Sequence, residues 1–369
     1  MRCVDTKEYI KAVQSLTEKK IYIAGAGKYG EVLGRYFDKS GITWEGFVDK
    51  RSSILLDRTK KVYIYEQMKE SDGYFIISSY EYREDIERQL IEVGIKSDNI
   101  LIYEKQDIFY DIYDHLIGWK QYTKKVKRFC DLYKNKRCFI VGNGPSLRIN
   151  DLEKLNDEVT FASNAIYALY KLTDWRPTYY CAWDPVFCKE MMSKKENINV
   201  LIDGCKAAFT SILGEGIQFR EDIEKLFYIK PIIKLLKDGM PCFSSYPDEQ
   251  VYASGTITYA MLQLAVYMGF NQIYLLGMDF SYSVERYKNG RVIENKITNH
   301  MEEIQKEDNK LAKKIFSRYG FSYVADIDLQ LNGYKAAKKY AEENGIKIYN
   351  ATRGGKLEIF ERVEYDTLF

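Results

Sequence analysis

The chain has little of what metal and disulfide chemistry require. Only two of its 369 residues are histidine, His115 and His300, so no zinc or other metal site is expected. Its seven cysteines, at positions 3, 130, 138, 181, 188, 205 and 242, form no CxxC pair. An odd number without metal-like spacing reads as reduced, mostly buried thiols, with Cys138 inside a predicted strand. Six prolines in an otherwise apolar and charged composition argue for an ordered protein. No apolar run is long enough to cross a membrane: Ile257 to Phe270 is too short and contains Gln263. Neither sign of charge dominates, with 55 basic and 53 acidic residues for a net +2, so nothing pulls the whole molecule toward nucleic acid. The first residues, MRCVDTKEYIKAVQ, lack a signal-peptide core. A cytoplasmic protein is expected, with peripheral membrane contact left open.

What is abundant is tyrosine, at 32 residues. Such richness suits a sugar-binding surface, and compositional drift explains it equally well. The length favours two domains. In the first hundred residues strand-like runs (20–24, 44–48, 62–65, 74–78 and 100–103) alternate with helical spacing (31–40 and 82–93), which predicts a small doubly wound Rossmann-like domain over residues 1–108. Apolar spacing from Phe109 to Leu132 predicts a long amphipathic linker helix over 109–136, with Lys120, Lys124, Lys125 and Lys127 on a solvated face. A second α/β domain, 137–369, is predicted with strands at 138–142, 159–163, 178–183, 199–203, 226–229, 272–276 and 347–349. Its predicted helices lie at 256–268, 301–318 and 333–343. The expected fold class is therefore α/β, with two Rossmann-like doubly wound domains joined by a long helix.

The most informative stretch is RCFIVGNGPSL followed by VTFASN. Each apolar run ends in a polar loop, and in open α/β sheets ligands bind at the carboxyl ends of strands. Gly144, Pro145 and Ser146 form a turn able to approach a phosphate. Asn143 and Asn164 could hydrogen-bond a phosphate, ribose or base edge, or could cap local backbone. Asp184, before Pro185 in CAWDPVF, is equally a ligand group or an Asx-turn residue. Ser254, Gly255 and Thr256 precede a helix, where they cap it, offer donors to an anion, or do both. Asp279 ends a buried strand in LLGMDFSY, with Tyr282 and Tyr287 on the following loop. His300 is the one histidine of the second domain, and a neutral imidazole suits a general base; an exposed helix-start histidine is the bland alternative. In the amino-terminal domain Gly25, Gly27 and Gly30 of GAGKYG, with Asp49 at the end of the next strand, match a dinucleotide fingerprint. NAD or another nucleotide is the candidate ligand there, an interaction module the alternative.

Taken together, VGNGPSL, FASN, the Trp-Asp-Pro loop, the SGT helix start and YLLGMDFSY resemble the bacterial 6-hydroxymethylpterin diphosphokinase MptE-like proteins, which include the motility accessory factor (Maf) glycosyltransferases. More distantly the set is similar to the family 42 bacterial sialyltransferases. The resemblance covers about Arg137 to Val363. It implies a GT-A-like core and an inverting, metal-independent transfer from a CMP-sugar, such as a nonulosonic acid donor, to a glycan or glycoprotein in surface-glycan biosynthesis. Asn143 and Asn164 match the family's nucleotide-contacting asparagines, and Asp184 stands where that family has a third. Tyr282 and Tyr287 correspond, at a different loop spacing, to tyrosines that steady the leaving phosphate, and His300 to the catalytic histidine. The MptE likeness implies an alternative, an ATP- and Mg²⁺-dependent pterin diphosphokinase using Asp184 and Asp279 on the metal. A non-catalytic nucleotide-binding scaffold is a third reading.

Overall fold

The computed structural model describes residues 1–16, 18–50, 60–105, 108–109, 111–112, 114, 118–211, 220–236, 238–281, 284–286, 292–294, 299–319 and 326–369. The chain divides into two compact units, Met1–Trp119 and Lys120–Phe369, so the division falls inside the segment read as a linker.

The first unit is built on a six-stranded sheet from β1 (Arg2–Cys3), β2 (Ile21–Ala24), β3 (Gly46–Val48), β4 (Val62–Tyr63), β5 (Tyr74–Ile77) and β6 (Ile100–Tyr103). Its order is β1-β6-β5-β2-β3-β4, and every pairing is parallel. The central strands are short, buried and rich in isoleucine, as a sheet covered on both faces requires. The helix Lys28–Lys39 buries Val32, Leu33, Tyr36 and Phe37 on one stripe, as their spacing predicts, and Gly41 in the left-handed region (φ 70°) follows its end. One short strand and one helix escaped the sequence reading. Asp5 caps Thr6–Gln14 by accepting from the Glu8 N–H (2.9 Å), and Tyr9 and Val13 are the buried stripe of this outwardly charged segment.

The second unit carries an eight-stranded sheet: β7 (Arg137–Val141), β8 (Thr160–Ser163), β9 (Tyr179–Ala182), β10 (Ala207–Thr210), β11 (Leu226–Tyr228), β14 (Gln272–Leu276), β17 (Lys347–Asn350) and β18 (Glu361–Arg362). Short pairs β12 (Pro231–Ile232) with β13 (Val251–Tyr252), and β15 (Val284–Arg286) with β16 (Val292–Glu294), stand apart from it. All neighbours in the order β11-β10-β9-β8-β7-β14-β17-β18 are parallel. From β7 the chain winds outward to β11, then returns to the other side of β7 to lay down β14. The winding direction therefore reverses between β7 and β14, and a crevice opens at such a point in doubly wound sheets. The helix Ile257–Tyr267 is apolar all round and buried. Its Gln263 is tolerated because its amide is fully used. The oxygen accepts from the Ser244 and Tyr252 N–H groups (both 2.9 Å), and the nitrogen donates to the Tyr252 and Tyr259 carbonyls (2.8 and 3.0 Å).

Two expectations are corrected here. The strand expected at 199–203 is the end of a helix, Lys195–Leu201, and the strand is β10. Ile198 and Leu201 are buried at helical spacing, and the left-handed Gly204 (φ 71°) makes the turn toward β10. The long linker helix is also broken. Gly118 is left-handed (φ 68°), and the chain then forms a short helix, Trp119–Thr123, and a 3-10 segment, Lys124–Phe129. Asp131 and Asn135 follow, both with positive φ (55° and 61°). Val126 and Phe129, three apart, suit the 3-10 period and are buried, whereas Lys120, Lys124, Lys125 and Lys127 are exposed as expected.

Five of the seven cysteines are buried, and all seven are free thiols. Tyr9, Tyr179, Tyr180, Tyr259 and Tyr365 are among the largest fully buried side chains, so part of the tyrosine richness serves the core.

Candidate functional site

The loops leaving β7 and β14 are stitched together by backbone. The Gly142 N–H donates to the Leu276 carbonyl (2.7 Å) and the Gly144 N–H to the Gly277 carbonyl (2.9 Å). Glycine is required on both sides: a Cβ on Gly142 would lie 2.5 Å from the Gly277 oxygen, and Gly277 itself has φ 67°. Asp279 fills the concavity so formed. Its Oδ2 accepts from Ser146 Oγ (2.8 Å) and at longer range from the Ser146 N–H (3.4 Å), and a Cβ on Gly144 would stand 1.9 Å from that oxygen. Burial pushes the Asp279 carboxyl above its ordinary range, and the Ser146 hydrogen bonds pull it partly back. The Gly-Pro-Ser turn, read from sequence as a phosphate cradle, thus holds an anion supplied by the chain itself. The following residue, Phe280, has φ 50°, a strained conformation for an aromatic side chain and one that gathers at functional loops.

Asn143 and Asn164 come together at neighbouring strand ends. Asn143 donates its side-chain N–H to the Ser163 carbonyl (3.3 Å), next to Asn164. Asn164 is left-handed (φ 52°), which asparagine tolerates, and its own carbonyl accepts from the Tyr180 hydroxyl (2.7 Å). The two side-chain oxygens, Asn143 Oδ1 and Asn164 Oδ1, are buried and have no hydrogen-bond partner. Buried polar atoms in that condition call for an explanation, and a ligand is one.

His300 is tied to the same place. The Met301 N–H donates to the Asn143 carbonyl (2.8 Å), which fastens the start of the helix Glu302–Tyr319 to the β7 loop. Gln305 reaches back from that helix, and its Oε1 accepts from the N–H groups of Asn299 (3.0 Å) and His300 (3.2 Å). Nδ1 of His300 lies 2.5 Å from Oδ2 of Asp308, close but off the hydrogen-bond axis. Beside them the Tyr167 hydroxyl donates to Glu307 (3.4 Å), and burial, followed by the charges of Glu307 and Asp308, pushes that phenol up to about 12.

The other sequence candidates behave differently. Asp184 caps the helix Pro185–Met191 by accepting from the Phe187 N–H (2.8 Å), the Asx-turn reading. Ser254 is buried and donates to the Leu329 carbonyl (2.5 Å), in space that Gly333 leaves open. Thr256 caps Ile257–Tyr267 by accepting from the Thr258 N–H (3.2 Å), and Gly255 supplies the left-handed turn before it (φ 64°). Tyr282, Tyr287 and His115 lie outside the described residues. Among the described residues no group of three or more His, Cys, Asp or Glu side chains is placed to hold a metal ion. No helix among them is long and apolar enough to cross a membrane.

In the first unit the glycine fingerprint sits at the analogous reversal, between β2 and β5. Gly25 (φ 98°) makes the turn, and Gly30 is required because a Cβ there would stand 2.0 Å from the Gly25 carbonyl. Gly27 opens the helix Lys28–Lys39. Asp49, however, is buried and accepts from the Ala26 N–H (2.9 Å), so its carboxylate supports the loop.

Sequence reasoning missed Asp308 and Gln305. The available signal was their position on the helix that His300 precedes, but only the folded-back backbone brings Asp308 to the imidazole and Gln305 to the N–H groups of Asn299 and His300.

A sequence model of the family described as 6-hydroxymethylpterin diphosphokinase MptE-like matches residues 115–285. No protein of curated function matches the chain. Among solved structures the chain is similar to the MAf glycosyltransferase from Magnetospirillum magneticum AMB-1, at 13% identity and a TM-score of 0.36, over 100% of this chain and 63% of that one. It thus spans less than two thirds of that protein's length. It is also similar to the sialyltransferase CstII from Campylobacter jejuni in complex with cytidine-5'-monophosphate (20% identity, TM-score 0.36, 62% of this chain and 85% of that one). The CstII complex with CMP-3FNeuAc aligns at 15% identity and a TM-score of 0.35, over 62% and 85% of the two chains. The resemblances carried by the motifs are the ones these comparisons find.

Proposed function

We propose that the second unit is a glycosyltransferase that binds a nucleotide-sugar at the carboxyl ends of β7 and β8. The observation that carries the reading is the pair of partnerless buried amide oxygens, Asn143 Oδ1 and Asn164 Oδ1, at adjacent strand ends beside the His300 segment. Leaving a buried acceptor unpaired costs about 1–3 kcal/mol. A nucleoside offers the missing donors, a cytosine amino group or ribose hydroxyls. A CMP-sugar, with a nonulosonic acid as the sugar, is the donor that the motifs favour, and a glycan or glycoprotein hydroxyl is the acceptor. Synthesis of a surface glycan at the cytoplasmic side is the setting.

In the proposed reaction the acceptor oxygen bonds to the anomeric carbon while the carbon–oxygen bond to the phosphate breaks, with inversion. The bond pair leaves with CMP, and oxocarbenium character develops on the sugar. His300 takes the acceptor proton on Nε2. Because Asp279 already engages Ser146, the leaving phosphate needs other donors, and the hydroxyls of Tyr282 and Tyr287 are proposed for that role. With those donors the transfer needs no metal. Asp184 and Asp279, the pair a diphosphokinase would use on Mg²⁺, are turned toward the Phe187 N–H and Ser146 instead.

A thermal-shift panel with CMP, CDP, UDP, ATP with Mg²⁺ and NAD tests the reading. A ligand at a hundred times its Kd stabilises by about 2.7 kcal/mol. Stabilisation by CMP or CDP that Asn143→Ala abolishes is the expected result. A response to ATP with Mg²⁺ alone would replace the transferase with a diphosphokinase, and a response to NAD alone would move the nucleotide site to the first unit. Nucleotide binding with no turnover of any CMP-sugar would leave a scaffold.

A further inference from the structure

We propose that Asp308 is the positioning residue of His300, holding the imidazole as the Nδ1–H tautomer so that Nε2 faces the acceptor as base. This rests on the reading of His300 as the base. The pair is not an ordinary helix-surface contact, which joins residues three or four apart. Eight positions separate His300 from Asp308, and they meet because the chain folds back over the start of the helix Glu302–Tyr319. Two independent fastenings fix that fold-back: Gln305 takes the N–H groups of Asn299 and His300, and Met301 is bonded to Asn143. The imidazole therefore has little backbone freedom, and its Nδ1 is 2.5 Å from Asp308 Oδ2, an electrostatic contact that lies off the hydrogen-bond axis. Both side chains are mostly covered, 33% and 25% exposed, so solvent screens the pair less than it would at the surface. Glu307, on the same helix, is bonded to the Tyr167 hydroxyl, and Asp308 is left as the helix carboxylate that meets the imidazole. A carboxylate at one ring nitrogen sets which nitrogen carries the proton. The proton removed from the acceptor then arrives on Nε2, and the Asp308 charge stabilises the imidazolium without taking a proton itself.

The chain has two histidines, so imidazole nitrogen NMR resolves His300 once His300→Gln identifies its signals. At alkaline pH the full-length protein should show the Nδ1–H tautomer at His300, and Asp308→Asn should shift it toward Nε2–H. With a CMP-sugar and acceptor, Asp308→Asn should lower kcat about 10²- to 10⁴-fold at nearly constant KM. Asp308→Glu should recover part of the rate. An unchanged tautomer in Asp308→Asn, whatever happens to the rate, overturns the proposal. A changed tautomer together with full activity in His300→Ala shows that the pair exists but that His300 is not the base, and the functional reading fails instead.

Discussion

Replacing Asn164 by glycine separates a ligand-binding asparagine from a structural one. At φ 52° the residue occupies a region where glycine is at ease, so Asn164→Gly removes the side chain without straining the backbone. The carbonyl that accepts from Tyr180 is a main-chain atom and stays. The amide oxygen that is lost has no partner in the unliganded protein, and its removal ends a burial penalty of about 1–3 kcal/mol. The loss of backbone restraint in the unfolded chain works the other way, by about 0.4–1 kcal/mol. Unliganded stability should therefore hold or rise slightly. Binding behaves oppositely: one neutral hydrogen bond is worth about 0.5–1.5 kcal/mol, up to about tenfold in Kd. At a CMP concentration a hundred times the wild-type Kd, stabilisation should fall from about 2.7 toward about 1.4 kcal/mol. Urea unfolding with and without CMP measures both quantities. A variant clearly less stable when unliganded, yet fully stabilised by CMP, would show that Asn164 serves the loop alone.

Three further substitutions probe the frame around the crevice. Gly144→Ala places a Cβ 1.9 Å from Asp279 Oδ2 and 2.6 Å from the Gly277 carbonyl, so it should cost about 1–3 kcal/mol in urea unfolding and weaken CMP stabilisation; unchanged unfolding would contradict the packing. Burial raises the folded Asp279 carboxyl above its ordinary 3.8, so its stabilising share is complete below that pH and is lost as pH rises through the folded value. Asp279→Asn escapes that loss, and its stability relative to wild type should climb with pH across this window and then level off; a relative fall on going to neutral pH would refute the sign. Arg353 binds the buried Asp151 through two hydrogen bonds (2.9 and 3.0 Å) and also Asp366 (2.7 Å), fixing the carboxyl-terminal segment. Arg353→Ala should cost about 3–5 kcal/mol in urea unfolding, and replacing both Arg353 and Asp151 by leucine should cost less; an equal cost would show that the unpaired charge is not the reason.

Much of this architecture is legible in the sequence because parallel strands buried on both faces read as unbroken apolar runs, and the loops after β7, β8 and β14 announce themselves by Gly, Asn and Asp. The failures share a cause: local pattern competes with contacts made at a distance. The apolar run at 199–203 fits strand and helix alike, and only the packing of Ile198 and Leu201 decides. The period of the linker is helical, but Gly118 and the 3-10 segment after Thr123 break it. Contacts of the candidate loops are equally hidden from local pattern: Ser146 of GNGPS meets Asp279, 133 positions away, and Asp49 accepts from the Ala26 N–H. Asn143 is joined to Ser163 beside Asn164 and to Met301 beside His300, and the contacts of His300 with Gln305 and Asp308 arise from a fold-back that no spacing rule contains.

The central claim is that His300 drives sugar transfer from a nucleotide bound at the carboxyl ends of β7 and β8. Release of CMP from a CMP-nonulosonic acid, measured with a glycan acceptor in wild type and in His300→Ala, tests it directly. The account predicts acceptor-dependent release in wild type and a loss of about 10²-fold or more in the variant, with CMP binding retained. Full release by His300→Ala would contradict it.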